Sequence, residues 1–73
     1  MLETQLSDNQ NELLTEMEAA YLRRQSVRTL QAERLHGRGC PYIKLGRSVR
    51  YRRADILKFI ESNVRILAQP STP

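Results

Sequence analysis

The apolar positions of this chain fall into short groups whose spacing changes along its length. Residues 1–12 are polar, rich in Gln, Asn and Glu, with little apolar periodicity, and read as a flexible arm. Leu13-Leu14-Thr15 opens the domain. Thr15 is an N-cap with Glu18 three residues later, the spacing of a capping box, which predicts a helix from Glu16 to Leu22 or Arg23. Glu16 and Glu18 suit the positive end of that helix, and Ala19 and Ala20 allow close backbone approach. Arg24-Gln25-Ser26 breaks the pattern. Ser26 then caps a second helix over Val27–Leu35, where Val27, Leu30 and the stem of Arg34 recur at i, i+3 and i+7 as one face. Leu35 is assigned to the side of Leu30, while Arg28, Thr29, Gln31 and Ala32 point elsewhere. Gly37 and Gly39 end the helix and Pro41 prevents its resumption.

Beyond Pro41 the period changes to two. Tyr42–Leu45 and Ser48–Tyr51 flank Gly46-Arg47, a hairpin signal. Alternation puts Ile43 and Leu45 opposite Tyr42 and Lys44, and one face packs inward while Lys44, Arg50 and Arg52 point out. A lone two-stranded hairpin is unstable in water, so this one must lean on the helices. A third helix is predicted from Arg53 or Ala54 to about Asn63, with Ile56, Phe59 and Ile60 as its apolar stripe and Asp55 near its N-terminus. Val64–Ala68 either extends that helix or trails from it, and the last five residues read as disordered. The expected organisation is an arm over 1–12, a domain over 13–63 and a tail over 64–73.

Charge sharpens this picture. Residues 1–22 hold five acids and no base, residues 23–73 hold twelve bases and three acids, and Arg34–Ala54 holds seven bases and no acid. Such a field favours a polyanion over the plainer reading of a solvated basic surface, because it coincides with a hairpin and a helix. The single Cys40 forbids an internal disulfide and fits a reducing cytoplasm. No apolar run reaches the length of a membrane span, and no signal-peptide pattern opens the chain.

Two short helices joined by a tight break form a helix-turn-helix arrangement or an ordinary helical hairpin. In the first case the second helix is the reader, with outward residues suited to a major groove: Arg donates twice to guanine, Gln pairs with adenine, and Thr or Ala touches the thymine methyl. Four segments, in order, carry a family resemblance: Leu13–Leu22, Ser26–Leu30, Gly39–Tyr51 and Arg52–Ile60. Together they resemble the excisionase-type, MerR-like winged helix-turn-helix family over about residues 13–61. The resemblance implies a small α+β DNA-binding domain with a recognition helix in the major groove and a two-stranded wing in the minor groove or along the backbone. It places Ser26, Arg28, Thr29 and Gln31 on the reader helix and Lys44, Arg47, Ser48 and Arg50 on the wing, where Arg52 also adds to the charge. It further implies a recombination directionality factor that bends double-stranded DNA at direct repeats or attachment sites beside a tyrosine recombinase, or a transcription regulator of the same mobile element. The glycines and Arg38 in Leu35–Pro41 depart from the pattern and predict a longer, looser link between helix and wing.

Other chemistry finds little support in the residues. His36 and Cys40 are too few to hold zinc, so no metal or cofactor is expected; His36 suits the end of the second helix and Cys40 a packing role. Ser26 and Ser48 lack an arranged base, and Tyr21, Tyr42 and Tyr51 lack the other groups of a recombinase site, so no enzyme is expected. A lone domain offers only about 600–1,000 Å² to DNA, which predicts cooperative self-association or a partner protein. Leu57, off the third helix's stripe, either forms a small contact patch with Val64 or belongs to a wide core face. A protein-interaction adaptor with a basic face is the reading from another class.

Overall fold

A computed structural model describes residues 9–67. A 3₁₀ turn, Asn9–Asn11, leads into β1 (Leu13–Thr15), α1 (Glu16–Arg23), α2 (Val27–Leu35), β2 (Ile43–Leu45), β3 (Ser48–Arg52) and α3 (Arg53–Ser62). The result is a small α+β fold with three α-helices and a three-stranded antiparallel sheet of order β1-β3-β2.

Local chemistry sets the helix limits. The Thr15 hydroxyl accepts from the Glu18 amide at 3.1 Å while the Glu18 carboxylate accepts from the Thr15 amide at 2.9 Å, the reciprocal capping box. α1 ends with Arg24 in the left-handed region (φ 57°), its N–H donating to Tyr21 O and that of Gln25 to Ala20 O. This is a Schellman close made without the usual glycine. Ser26 caps α2 by accepting from the Thr29 amide. α2 closes in the same way as α1 through Gly37 (φ +68°), with Gly37 N–H to Arg34 O and Arg38 N–H to Glu33 O. His36 Nδ1 lies 2.8 Å from Ala32 O, which makes that nitrogen the donor.

The core gathers Leu14, Ala19, Ala20, Leu30, Cys40, Tyr51 and Ile56, with Leu22, Val27, Val49 and Phe59 packed against it. β1, α1, α2, β3 and α3 supply one to three of these each, the loop after α2 adds Cys40, and β2 supplies none, a thin core spread over many elements as a chain this small requires. Ala19 and Ala20 are buried where α1 meets its neighbours.

Several expectations need correction. Residues 1–8 of the anticipated arm lie outside the described residues, but Asn9–Asn11 form an ordered turn that packs against α3, and Glu12 O accepts from the Arg53 N–H at 2.9 Å. That bond satisfies a free donor at the start of α3, whose N-cap Arg52 supplies no side-chain cap. The sheet has three strands rather than two, because Leu13-Leu14-Thr15 pairs with Arg52-Tyr51-Arg50. The link after α2 is not loose: Gly37 and Arg38 are bonded back to the helix, Cys40 is buried, and a Cβ at Gly39 (φ +91°) would collide with the Glu33 side chain. One expectation left open is decided without correction: residues 64–67 trail from α3 rather than extend it, since Ser62 Oγ and Asn63 Nδ2 both donate to Phe59 O and close the helix.

Candidate nucleic-acid interface

On α2, a rotation of 100° per residue sets Arg28, Gln31, Ala32 and Leu35 on one ridge. All four are exposed, Leu35 to 81%. The assignment of Leu35 to the side of Leu30 is therefore wrong: five residues turn the helix by 140°, away from the core. Leu35 joins the outward ridge as a residue the sequence reading missed, although its seven-residue spacing from Arg28 carried the signal. Ser26 and Thr29 are engaged locally. Their hydroxyls are 3.1 Å apart, and Ser26 Oγ also accepts from the Thr29 amide. Gln31 Nε2 donates to Glu16 Oε2 at 3.3 Å, whereas Arg28 has no side-chain hydrogen bond among the described residues.

The hairpin pairs Ile43 with Arg50, Lys44 with Val49 and Leu45 with Ser48. The two-residue loop has Gly46 at φ +63° and Arg47 at negative φ, the sense of a type II′ turn. Directly paired residues share a face, so Lys44 stands on the face of Val49 and buried Tyr51, and Arg50 stands on the other with Ile43. The expectation that Lys44, Arg50 and Arg52 point the same way therefore fails for Lys44. Its cause is the register, which a single-strand alternation count does not fix. Lys44, Arg47, Ser48 and Arg52 are exposed, and Arg50 is half-buried with its guanidinium donating to Val49 O at 2.9 Å. Arg52 pairs with Asp55 at 3.2 Å.

Arg34 ties α2 to this hairpin. Its Nη1 donates to the Tyr51 hydroxyl at 2.7 Å, its Nη2 donates to Glu16 Oε1 at 3.0 Å, and its guanidinium lies 5.7 Å from the Tyr42 ring centroid. Tyr42 and Tyr51 are themselves 6.3 Å apart, centroid to centroid. Desolvation is the largest influence on Arg34 and opposes its charge. The bonds to Tyr51 and Glu16 with their attendant charges outweigh it, and the net shift is upward. Burial raises the Tyr51 phenol, partly offset by Arg34. α2 and the hairpin thus meet through a fully ionised guanidinium rather than through apolar packing alone.

Beneath them lies a charged cluster absent from the sequence reading. The Arg23 side chain is 2% exposed and grips Glu33 bidentately, Nη1 to Oε1 at 2.9 Å and Nη2 to Oε2 at 2.7 Å. Its Nε donates to Gln25 Oε1, Nη1 also approaches Cys40 Sγ at 3.8 Å, and the guanidinium lies 4.4 Å over Phe59. The bond to Glu33 raises the Arg23 pKa against the pull of desolvation. Burial pushes the Cys40 thiol up, and Arg23 moderates the shift. The signal for this cluster was an acid beside the α2 stripe, three residues from Leu30, which calls for a cation opposite.

Of the two readings of Leu57, a contact patch with Val64 or part of a wide core face, its half-burial accords with the second. Leu57 is half-buried on the flank one turn from Arg53, where the chain from Glu12 meets α3, while Ile60 of the anticipated stripe is 39% exposed. Val64 is exposed but lies past the close of α3, so the two share no helical face. Among the described residues no group of three or more His, Cys, Asp or Glu is placed to hold a metal ion, and no helix is long and apolar enough to cross a membrane. Set against known proteins, the chain matches no family model and no curated protein.

Proposed function

We propose that this chain is a sequence-specific DNA-binding protein of winged helix-turn-helix type, with α2 as recognition helix and the β2–β3 hairpin as wing. The observation that carries the reading is the exposed ridge Arg28, Gln31, Ala32 and Leu35, joined through Arg34 and Tyr51 to a hairpin carrying Lys44, Arg47, Arg50 and Arg52. Phosphate contacts from the hairpin set register and affinity, and the ridge discriminates bases. Arg28 is the ridge's freest donor to guanine, and Ser26 and Thr29 act at the helix start as caps that orient it. The family resemblance extends this to an excision-directing factor of a bacterial or phage mobile element, bending attachment-site DNA beside a tyrosine recombinase and self-associating along it. Regulation of transcription from the same element is the alternative use of the same surface. Either role belongs to the cytoplasm and nucleoid, and neither calls for a cofactor or catalytic residue.

The test is duplex binding measured against salt. Neutralising about five phosphates gives a slope of log K on log salt of about −4 to −5. Arg47→Ala weakens binding to all sequences alike and makes the slope shallower by about one. Footprints at several phased, bent sites across a recombination junction support excision, and a single site over a promoter supports regulation. No duplex binding at low salt defeats the reading and leaves a protein adaptor.

A further inference from the structure

A hydrogen-bonded chain runs from the hairpin interior to the outer ridge of α2. The Tyr51 hydroxyl, on a residue 1% exposed, accepts from Arg34 Nη1 at 2.7 Å. Arg34 Nη2 donates to Glu16 Oε1 at 3.0 Å, and the other oxygen of that carboxylate accepts from Gln31 Nε2 at 3.3 Å. Both oxygens of Glu16 are thus committed, one to a cation anchored in the sheet and one to a ridge residue. Glu16 lies in the first turn of α1, so this carboxylate ties α1 to two residues of α2 and, through Arg34, to Tyr51 of β3.

A carboxylate only accepts hydrogen bonds. Its partner amide must therefore turn the NH₂ group toward it and the carbonyl oxygen away. The two ends of a glutamine amide are otherwise interchangeable by a half-turn about the last side-chain bond. Held as it is, Gln31 offers outward one acceptor and its second N–H, the pair that matches adenine's N6 amino group and N7. Guanine presents two acceptors, O6 and N7, and would meet an oxygen with an oxygen.

We propose that Glu16 is a specificity-determining positioning residue: its carboxylate, fixed by Arg34, sets the amide of Gln31 to select adenine and reject guanine. The proposal rests on the reading of α2 as the base-contacting helix. Glu16 touches no base itself. Its charge lowers affinity for every sequence equally, so affinity and selectivity separate the two effects.

The experiment uses the full chain and its footprinted duplex, with every base pair of the site varied in turn, for wild type, Glu16→Ala, Glu16→Gln, Gln31→Ala and the Glu16→Ala/Gln31→Ala pair. Thermal melts confirm that each variant is folded. The expected result is one A·T pair whose preference over G·C depends on Gln31. Glu16→Ala lowers that preference about tenfold and leaves the other positions unchanged. Glu16→Gln, nearly isosteric, offers an NH₂ that turns the Gln31 amide around and moves the preference toward G·C. The double variant matches Gln31→Ala at that pair. A Gln31-dependent preference that survives both Glu16 variants overturns the coupling and leaves the helix reading standing. A preference that falls further in the double variant than in Gln31→Ala overturns it too. A wild type with no preference at any pair overturns the helix reading and the coupling together.

Discussion

Replacing Glu33 by alanine isolates the buried Arg23 cation without touching the rest of its cluster. Two short charge-assisted bonds, at 2.9 and 2.7 Å, are lost from a guanidinium whose side chain is 2% exposed. Breaking a buried pair by deleting one partner costs about 3–5 kcal/mol, mostly the penalty of the abandoned charge. Glu33 is 15% exposed, so some water reaches the site, and Gln25 still holds Nε. The lower end, about 3 kcal/mol, is therefore expected. A chain of 73 residues has about 4–11 kcal/mol in total, so the variant is left close to unfolding. Urea titration followed by circular dichroism reads the effect. At about 1 kcal/mol per M for so small a chain, the midpoint falls by about 3 M or the folded baseline disappears. The companion variant Arg23→Met/Glu33→Leu removes both charges and recovers most of the loss, since an apolar pair of similar volume replaces a buried ion pair at little cost. A loss below about 1 kcal/mol for Glu33→Ala, or a double variant no better than the single, would refute the claim that Arg23 is held captive in the core.

Two further outcomes follow from the backbone and from burial. Arg24→Gly relieves a left-handed residue at the end of α1 and stabilises by about 0.5–1 kcal/mol, after allowing for the greater freedom of glycine in the unfolded chain; a melting temperature that does not rise refutes it. The Cys40 thiol is pushed up by burial, so folding favours its protonated form. Its contribution is intact below the unfolded thiol's value of about 8.5 and is lost as pH rises through the higher folded value. Stability measured across that alkaline range declines, and Cys40→Ala flattens the part of the decline owed to the thiol.

Signals that act within a few residues were legible in the sequence. Thr15 with Glu18, Ser26, and Gly37 ahead of Pro41 bracket the first two helices because caps and left-handed closes are local chemistry. Gly46-Arg47 marks the hairpin for the same reason. The features that escaped notice depend on pairing between distant segments. Leu13-Leu14-Thr15 is too short to show alternation and becomes a strand only because Arg50-Tyr51-Arg52 lies beside it. Lys44 and Arg50 look alike as basic hairpin residues until register puts them on opposite faces. Arg23 reads as a helix-end cation, and only Glu33, ten residues on, explains its burial. The candidate interface follows the same division. The outward positions of α2 came from periodicity, with Leu35 misassigned by an approximate rotation, while the commitment of Gln31 to Glu16 required the two helices to be placed side by side.

The order β1-β3-β2 puts the longest strand, β3, in the middle with both of its sides occupied. The two remaining free edges are three residues long each. An edge that short offers few backbone donors and acceptors to an incoming chain, and β2 carries the charge of Lys44 as well. Strand addition, whether by a partner peptide or by a misassembled second copy, has almost no template here. The sheet of the described residues therefore gives little purchase for edge-to-edge assembly at high concentration, where a longer, flatter edge would seed aggregates.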